Sequence, residues 1–155
     1  MQRLYIAYGS NLNLEQMSRR CPGAKPYSRG YLMNWELIYR GSKTGAYLSI
    51  RKKQGAMTPV LLWKITRMDE WNLDLYEGYP TFYYKDEVMV DTALYGKKKG
   101  MVYIMDPKRK PGIPSQSYVD TVAYGYLDND FDLQYLRDSI KLNAEEMGIK
   151  KSARR

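Results

Sequence analysis

The chain has 155 residues, of which 44% are hydrophobic, enough for one globular domain with a buried core. It contains no histidine and one cysteine, Cys21, which excludes Ser/His/Asp and Cys/His triads, an intrachain disulfide and a zinc cluster. Acid–base chemistry must therefore be carried by a carboxylate, a tyrosine or a lysine. No apolar run approaches the roughly 20 residues that span a bilayer and no signal peptide is recognisable, so we expect a cytoplasmic protein without a membrane partner.

The formal net charge is +8, from 25 Lys and Arg against 17 Asp and Glu, which raises nucleic acid or an acidic ligand as partners. Solvated loops and a tail account for most of the basic residues, which occur in short runs at 51–53, 97–99, 108–110 and 150–155. Binding of single-stranded nucleic acid is therefore the less favoured hypothesis. We expect residues 1–148 to form a single domain and residues 149–155 to be a basic, disordered tail.

The first predicted elements are a strand and a helix. Aromatic and branched apolar residues at 4–8 predict the strand, and Asn13 then supplies a helix N-cap, with Gln16 at the capping-box position. A loop of small residues at a helix N-terminus offers unpaired backbone N–H groups and a favourable dipole. It therefore predicts a binding site for a carboxylate or phosphate, with an ordinary tight turn as the alternative. The loop contains Tyr8, Gly9, Ser10 and Asn11.

Five further strands are predicted by runs of β-branched and aromatic residues between turn signals. In chain order they occupy residues 31–39, 46–51, 58–65, 82–91 and 100–105. The third is largely apolar, so we expect it near the centre of a sheet. A turn around Gly96 separates the last two, and a long loop at 106–114 follows them.

A helix is predicted in the middle of the chain. Thr66 forms a Thr-x-x-Asp capping box with Asp69, and Gly78 ends the helix. The apolar residues of this helix share one face, which we expect to pack on the core: Met68, Trp71 and Leu75. The tryptophans are likewise assigned to the core: Trp35, Trp63 and Trp71.

Two more helices are predicted in the C-terminal third. Ser115 caps the first, and Asp132 caps the second, which ends at Gly148. The buried face of the first contains Val119, Val122, Ala123 and Tyr126. The order of strands and helices predicts an α+β fold in which a curved or closed mixed sheet is flanked by helices.

Glu77 is the candidate acid–base residue. A carboxylate in the last turn of a helix lies against the negative end of the helix dipole, which costs about 0.3–1 kcal/mol and raises its pKa. If the neighbouring tyrosines Tyr76 and Tyr79 also desolvate it, the pKa moves closer to neutrality, where one carboxylate can take and return a proton. The alternative is a solvated glutamate beside a helix C-cap.

Two motifs together, YIAYGSNL at residues 5–12 and LDLYEGYP at residues 73–80, resemble the gamma-glutamylcyclotransferase family. The resemblance continues through residues 60–65, Tyr83, Tyr84 and the PSQSY segment at 114–118, so it covers nearly the whole chain. It implies a small closed mixed β-barrel flanked by helices. It also implies a reaction without cofactor or metal: the free α-amine of a gamma-glutamyl group attacks its own side-chain carbonyl, which releases 5-oxoproline and an amine.

The resemblance also implies roles for individual residues. Glu77 corresponds to the glutamate that acts as general acid and base, and Tyr118 to a later tyrosine of the substrate site. Tyr83 holds the position of a further tyrosine, for which packing is an equal alternative, with Tyr84 as its alternate in register. The implied substrate-binding residues are Tyr8, Gly9, Ser10, Asn11, Leu12, Tyr83 and Tyr118. Whether the loop amides bind the α-carboxylate or the developing oxyanion stays open.

The leading hypothesis is therefore a gamma-glutamyl cyclotransferase with a small-molecule gamma-glutamyl substrate. A single carboxylate suffices, because it can deprotonate the attacking ammonium group and then protonate the departing amine. Ring closure is intramolecular, so positioning alone accelerates it strongly. Ser10 is expected to orient substrate rather than attack it, since no base is adjacent. The alternative is a non-catalytic module of the same fold that binds a small acidic ligand. The leaving amine and the oligomeric state, a homodimer included, stay open.

Overall fold

The computed structural model describes residues 3–41 and 45–148, and the predicted tail at 149–155 lies outside these residues. Five strands form one closed barrel with the order β1-β3-β2-β4-β5. Their bounds are β1 Arg3–Ala7, β2 Lys25–Arg40, β3 Tyr47–Ile65, β4 Tyr84–Thr92 and β5 Gly96–Ile104. Neighbouring strands are antiparallel except β1 and β5, which pair in parallel and close the barrel. The predicted mixed barrel flanked by helices is confirmed.

Four α-helices accompany the barrel in the described part of the chain. They are α1 Leu14–Arg20, α2 Arg67–Glu77, α3 Gln116–Asp128 and α4 Gln134–Glu146. The predicted caps of α1, α2 and α3 are confirmed, because Asn13, Thr66 and Ser115 each accept a hydrogen bond from the backbone N–H three residues later. The predicted cap of α4 is wrong: the N-cap position is Leu133, which has no capping side chain, and Asp132, just before the cap position, accepts a hydrogen bond from the Gln134 N–H.

One long strand replaces two predicted ones. The expected strands at 46–51 and 58–65 are parts of β3, which pairs with β2 along both lengths. The charged and glycine-containing residues between them form a bulge: residues 53–56 lie opposite the single residue Asn34, where the pairing register breaks. The Gly55 N–H donates to Asn34 Oδ1 at 2.9 Å, which holds the bulge. A polar interruption in the sequence thus bends a strand without ending it.

The expected packing face of α2 is wrong. Met68, Trp71 and Leu75 are 67%, 64% and 70% exposed, whereas Asp69 and Leu73 are buried. Asp69 can be buried because its carboxylate accepts hydrogen bonds from the backbone N–H groups of Thr66, at 2.9 Å, and Gly23, at 3.1 Å. The side of α2 that faces the protein therefore follows the spacing Asp69, Leu73, Glu77, one residue every helical turn. Of the other tryptophans, Trp63 is buried as expected, while Trp35 is partly buried against the core.

The basic runs are expected from the sequence in loops and a tail, but two of them lie in strands. Residues 51–53 belong to β3 and residues 97–99 to β5, while residues 108–110 lie in the predicted loop. Strands alternate their side chains between two faces, so a run of lysines can extend a strand whose outer face is solvated. In the described residues, no helix combines the length and the apolar character that crossing a bilayer requires.

Candidate active site

A cavity of about 190 Å³ opens where the loop after β1 meets the end of α2. Both motifs that the sequence singled out contribute to its wall, although they are far apart in the chain. Tyrosine side chains supply much of the remainder. The cavity is lined by Tyr5, Tyr8, Gly9, Ser10, Asn11, Tyr47, Leu48, Tyr76, Glu77, Phe82, Tyr83, Tyr103 and Tyr118.

Glu77 is the last residue of α2 and the carboxylate of this cavity. The helix stops there because Gly78 takes the left-handed conformation, with φ 67°, and its N–H bonds back to the preceding turn. Burial among the surrounding rings raises the pKa of Glu77 to about 8, and the positive charge of Arg20 lowers it in part. Desolvation is thus the main cause of the raised pKa, and it is one of the two causes expected for Glu77 from the sequence.

The loop between β1 and α1 is a single turn of 3-10 helix, Ser10–Leu12, rather than the first turn of α1. A side chain of the barrel holds this turn in place, because Trp63 Nε1 of β3 donates a hydrogen bond to the Asn11 carbonyl oxygen at 3.1 Å. Within residues 3–41 and 45–148, the backbone N–H groups of Ser10 and Asn11 have no hydrogen-bond acceptor. These two amides are therefore available to an anionic or carbonyl oxygen.

Leu12 does not line the cavity. Its side chain is fully buried beneath α3, where a Cβ added to Gly125 would lie 2.7 Å from Leu12 Cβ. The Leu12 carbonyl oxygen accepts a hydrogen bond from Asn129 Nδ2 at 2.9 Å. Leu12 thus fastens the loop to α3, and the close approach depends on the missing side chain at Gly125.

The hydroxyl groups of three cavity tyrosines are tied to barrel backbone. Tyr83 donates to the Leu48 carbonyl oxygen at 2.9 Å, and Tyr8 donates to the Tyr103 carbonyl oxygen at 2.6 Å. Tyr118 behaves differently, because its oxygen accepts from the Leu48 N–H at 3.1 Å. A tyrosine hydroxyl carries one proton, so Tyr118 keeps its proton for a ligand, whereas Tyr8 and Tyr83 offer only lone pairs.

Burial raises the pKa of these tyrosines well above the ordinary value, and the nearby charge of Glu77 raises it further. They therefore remain neutral throughout the pH range in which Glu77 titrates. Ser10 Oγ lies 3.4 Å from the hydroxyl of Tyr76. This contact makes Ser10 a hydrogen-bonding residue, since a tyrosine hydroxyl is not a base that would activate a serine. Tyr84, the alternate in register, begins β4 and lies outside the cavity lining.

Sequence reasoning missed several residues of the site. Tyr5, Tyr76 and Phe82 have a local signal, since Tyr5 begins the motif at 5–12, Tyr76 precedes Glu77 and Phe82 precedes Tyr83, whereas the others come from separate elements and have none. Arg20 was also missed: it does not line the cavity, yet its guanidinium carbon lies 3.3 Å from the centroid of the Tyr76 ring. The missed lining residues are Tyr5, Tyr47, Leu48, Tyr76, Phe82 and Tyr103.

A closed mixed barrel with a cavity that contains a carboxylate of raised pKa and, among the described residues, loop amides without an acceptor has the features of a small-molecule acid–base site. The family described as "Gamma-glutamyl cyclotransferase, AIG2-like" matches residues 5–120. The chain belongs to this family.

Relatives of known name agree with this membership. A gamma-glutamylcyclotransferase of Bos taurus is 30% identical over 151 residues, which cover 92% of this chain and 78% of the bovine protein. A solved structure of a gamma-glutamyl cyclotransferase superposes with a TM-score of 0.81 at 25% identity, covering 90% of this chain and 86% of the other. An uncharacterised protein from Homo sapiens superposes with a TM-score of 0.80 at 27% identity, covering 89% and 86%.

Proposed function

We propose that this chain is a gamma-glutamyl cyclotransferase that converts a gamma-glutamyl compound into 5-oxoproline and a free amine, with Glu77 as general acid and base. The observation that carries the proposal is a single cavity lined both by Glu77, with a pKa of about 8, and by Ser10 and Asn11, whose backbone N–H groups have no acceptor among the described residues. The cavity therefore combines a group for proton transfer with groups that can bind oxygen.

The raised pKa suits the first step of the reaction. A peptide α-amine has a pKa of about 7.7–8.0, and the free α-carboxylate beside the amine of a gamma-glutamyl group raises that pKa, so at neutral pH the substrate amine is a protonated ammonium group that cannot attack. Because the pKa of Glu77 is raised toward that of the amine, the free-energy cost of moving a proton from the amine to Glu77 is lowered. A glutamate at its ordinary value of 4.5 would add about 5 kcal/mol to this cost.

The bond changes follow from this transfer. The neutral α-nitrogen attacks the side-chain carbonyl carbon, the carbon–nitrogen bond of the ring forms, and negative charge develops on the carbonyl oxygen. Glu77 passes its proton to the departing nitrogen as the bond to that nitrogen breaks, and the ionised carboxylate then takes the second proton from the ring nitrogen, which leaves the neutral lactam. Glu77 returns this proton to the released amine, so two protons pass in turn from the α-nitrogen to the departing nitrogen and no co-reactant is consumed.

Positioning supplies the rest of the rate enhancement. The substrate must be folded so that its amine faces its own carbonyl carbon, and such preorganisation of an intramolecular reaction is worth several kcal/mol. The amides of Ser10 and Asn11 are suited to a carboxylate or an oxyanion, and the free proton of Tyr118 supplies a further donor. Gly9 makes room for that hydroxyl, because a Cβ there would lie 3.2 Å from Tyr118 Oη.

Product analysis tests the proposal. The wild-type protein, Glu77→Gln and Glu15→Gln are each incubated with a panel of gamma-glutamyl amino acids, peptides and amines, and 5-oxoproline is quantified. Glu15 is the matched control, because its side chain is 80% exposed on α1. We expect 5-oxoproline from the wild type and Glu15→Gln and none from Glu77→Gln.

Equal activity in Glu77→Gln contradicts the assigned acid–base role. Ligand-induced stabilisation without any turnover in the wild type would instead favour the non-catalytic binding module. Thermal melts with and without each compound therefore accompany the product assay.

A further inference from the structure

Arg20 joins three parts of the structure just outside the cavity. It is the last residue of α1, and its guanidinium group stacks on the ring of Tyr76 from α2, with 3.3 Å between the guanidinium carbon and the ring centroid. Its Nη1 donates to Asn11 Oδ1 of the loop, and its Nη2 donates to Gln16 Oε1 at 2.9 Å. The Arg20 carbonyl oxygen accepts from Asn72 Nδ2 at 3.2 Å, so its backbone is also fixed to α2.

These contacts decide how the side chain of Asn11 is turned. Because a cation binds Oδ1, the amide nitrogen points the other way, to Tyr5 Oη at 2.8 Å and to Glu77 Oε2 at 3.5 Å. If the amide were reversed, its NH2 group would face the guanidinium and its oxygen would face the Glu77 carboxylate. The hydrogen bonds of Asn11 with Arg20 and with Glu77 would then both be lost. Arg20 therefore determines which Asn11 atom faces the carboxylate.

We propose that Arg20 is a positioning residue for the reaction: through Asn11 and Tyr76 it holds the surroundings of Glu77 in their reactive arrangement. This inference rests on the proposed cyclotransferase function. A planar guanidinium is required, because one group must stack on a ring and bridge two amide oxygens at fixed angles. Lysine supplies the same charge without that geometry.

The charge of Arg20 and its geometry can be separated, because the other titratable groups that line the cavity with Glu77 are tyrosines. Tyr47 comes from β3 and Tyr76 from α2. Burial raises the pKa of the other five, which come from β1, the loop, the segment before β4, β5 and α3: Tyr5, Tyr8, Tyr83, Tyr103 and Tyr118. Among the described residues, Arg20 is the cation that lowers the pKa of Glu77. Loss of its charge therefore raises that pKa, while loss of its shape alone does not.

The experiment compares Arg20→Lys and Arg20→Gln with Arg19→Gln. Arg19 is the matched control, since its side chain lies on the same helix, is 70% exposed and forms an ion pair with Glu15 at 4.0 Å. Steady-state kinetics are measured over pH 5–10, and the Glu77 carboxyl is titrated by carbon NMR, with Glu77→Gln to assign its signal.

We expect Arg20→Gln to lower kcat by about 10²-fold and to shift both the acidic limb of the rate profile and the Glu77 titration to higher pH. Arg20→Lys is expected to keep the pKa of Glu77 near the wild-type value but still to lower kcat at least tenfold. Arg19→Gln should match the wild type in both. Wild-type kcat in Arg20→Lys would overturn the positioning role, because charge alone would then suffice.

A readout independent of turnover separates this inference from the proposed function. In the wild type, the Asn11 side-chain amide protons are held between Tyr5 and Glu77, so their exchange with solvent should be slow. We expect this exchange to accelerate at least tenfold in Arg20→Gln and Arg20→Lys, and to be unchanged in Arg19→Gln. Unchanged exchange in the Arg20 variants overturns the inference even if the enzyme is active. If the exchange accelerates in the Arg20 variants while the wild type releases no 5-oxoproline, the positioning of Asn11 is supported and the proposed function is refuted.

Discussion

The side-chain amide nitrogen of Asn11 lies 3.5 Å from Glu77 Oε2, and this pair connects the loop after β1 with the end of α2. Asn11 is 3% exposed, and its backbone N–H has no hydrogen-bond acceptor among the described residues. The same residue therefore contacts the carboxylate through its side chain and offers its backbone to a ligand. The two motifs are adjacent in space, although α1, β2, β3 and the first part of α2 lie between them in the chain.

Replacement of Asn11 by aspartate should change the pH dependence of the reaction. The new carboxylate keeps an acceptor for Arg20 but places negative charge beside Glu77, which raises the Glu77 pKa. The acidic limb of kcat/KM is therefore expected to move to higher pH, by about one unit or more. Asn13→Asp is the control, because aspartate preserves the cap of α1 and lies outside the cavity lining. An unshifted profile in Asn11→Asp argues that Glu77 is not the titrating base.

The stability of the protein should depend on pH through Glu77. Its pKa is about 8 in the folded state and near 4.5 when unfolded, so between these values the folded state binds a proton that the unfolded state has lost. The stabilisation is fully present below pH 4.5 and is lost as the pH rises through 8. The unfolding free energy is expected to fall by up to about 1.4 kcal/mol per pH unit in this window.

Urea unfolding of the wild type and Glu77→Gln from pH 5 to pH 9 measures this effect. Glutamine does not titrate, so the variant should be the more stable protein at pH 9, and the two should converge near pH 5. The chain has no histidine, which otherwise titrates in the same range. Parallel stability curves for the two proteins would mean that the Glu77 pKa is not raised.

A methyl group at Gly9 should disturb the site through Tyr118. The added Cβ would lie 3.2 Å from Tyr118 Oη and 3.5 Å from Leu48 Cβ. We expect Gly9→Ala to displace the hydroxyl from the Leu48 N–H, with a cost of about 1 kcal/mol in stability and about a tenfold rise in KM.

A double-mutant cycle identifies the cause. Tyr118→Phe removes the hydroxyl that the methyl group meets, so Gly9→Ala should cost less stability in that background than in the wild type. Additive costs would show that the close contact with Tyr118 is not the reason for glycine at this position.

The pairing of Arg40 with Glu146 should contribute to stability away from the cavity. The Arg40 side chain is 2% exposed, and its Nη2 lies 2.9 Å from Glu146 Oε2. Glu146→Ala leaves a buried guanidinium without its carboxylate, which we expect to lower the unfolding free energy by about 2 kcal/mol. This is less than for a fully buried pair, because the Glu146 side chain is 32% exposed. Glu145→Ala is the control in thermal and urea unfolding, and an equal loss there would contradict a specific role of the pair.

The sequence predicted the local features of the fold better than the long-range ones. The helix caps at Asn13, Thr66 and Ser115 and the end of α2 at Gly78 depend on residues within a few positions, and all four were predicted. The continuity of β3 was missed, because a bulge opposite Asn34 has the same polar, glycine-containing composition as a loop. Only pairing with β2 distinguishes the two.

The buried face of α2 shows the same limit. A hydrophobic pattern selects Met68, Trp71 and Leu75, but the face that packs contains Asp69 and Leu73 and ends at Glu77. Two carboxylates on an inward face contradict a pattern based on hydrophobicity. They are tolerated because Asp69 accepts hydrogen bonds from the Thr66 and Gly23 N–H groups and Glu77 borders the cavity. Only the Thr66 contact is local in sequence.

The amino-acid sequence alone predicted the family resemblance, a carboxylate as the acid–base group of a chain without histidine, the caps at Asn13, Thr66 and Ser115, and the glycine that ends α2. Those properties depend on residue chemistry and on neighbours a few positions away. Only the tertiary structure decided that desolvation raises the Glu77 pKa to about 8, which tyrosine keeps a free proton, and that Arg20 turns the amide of Asn11. Burial, hydrogen-bond direction and electrostatic coupling depend on which distant side chains share one cavity, and barrel closure brings them together.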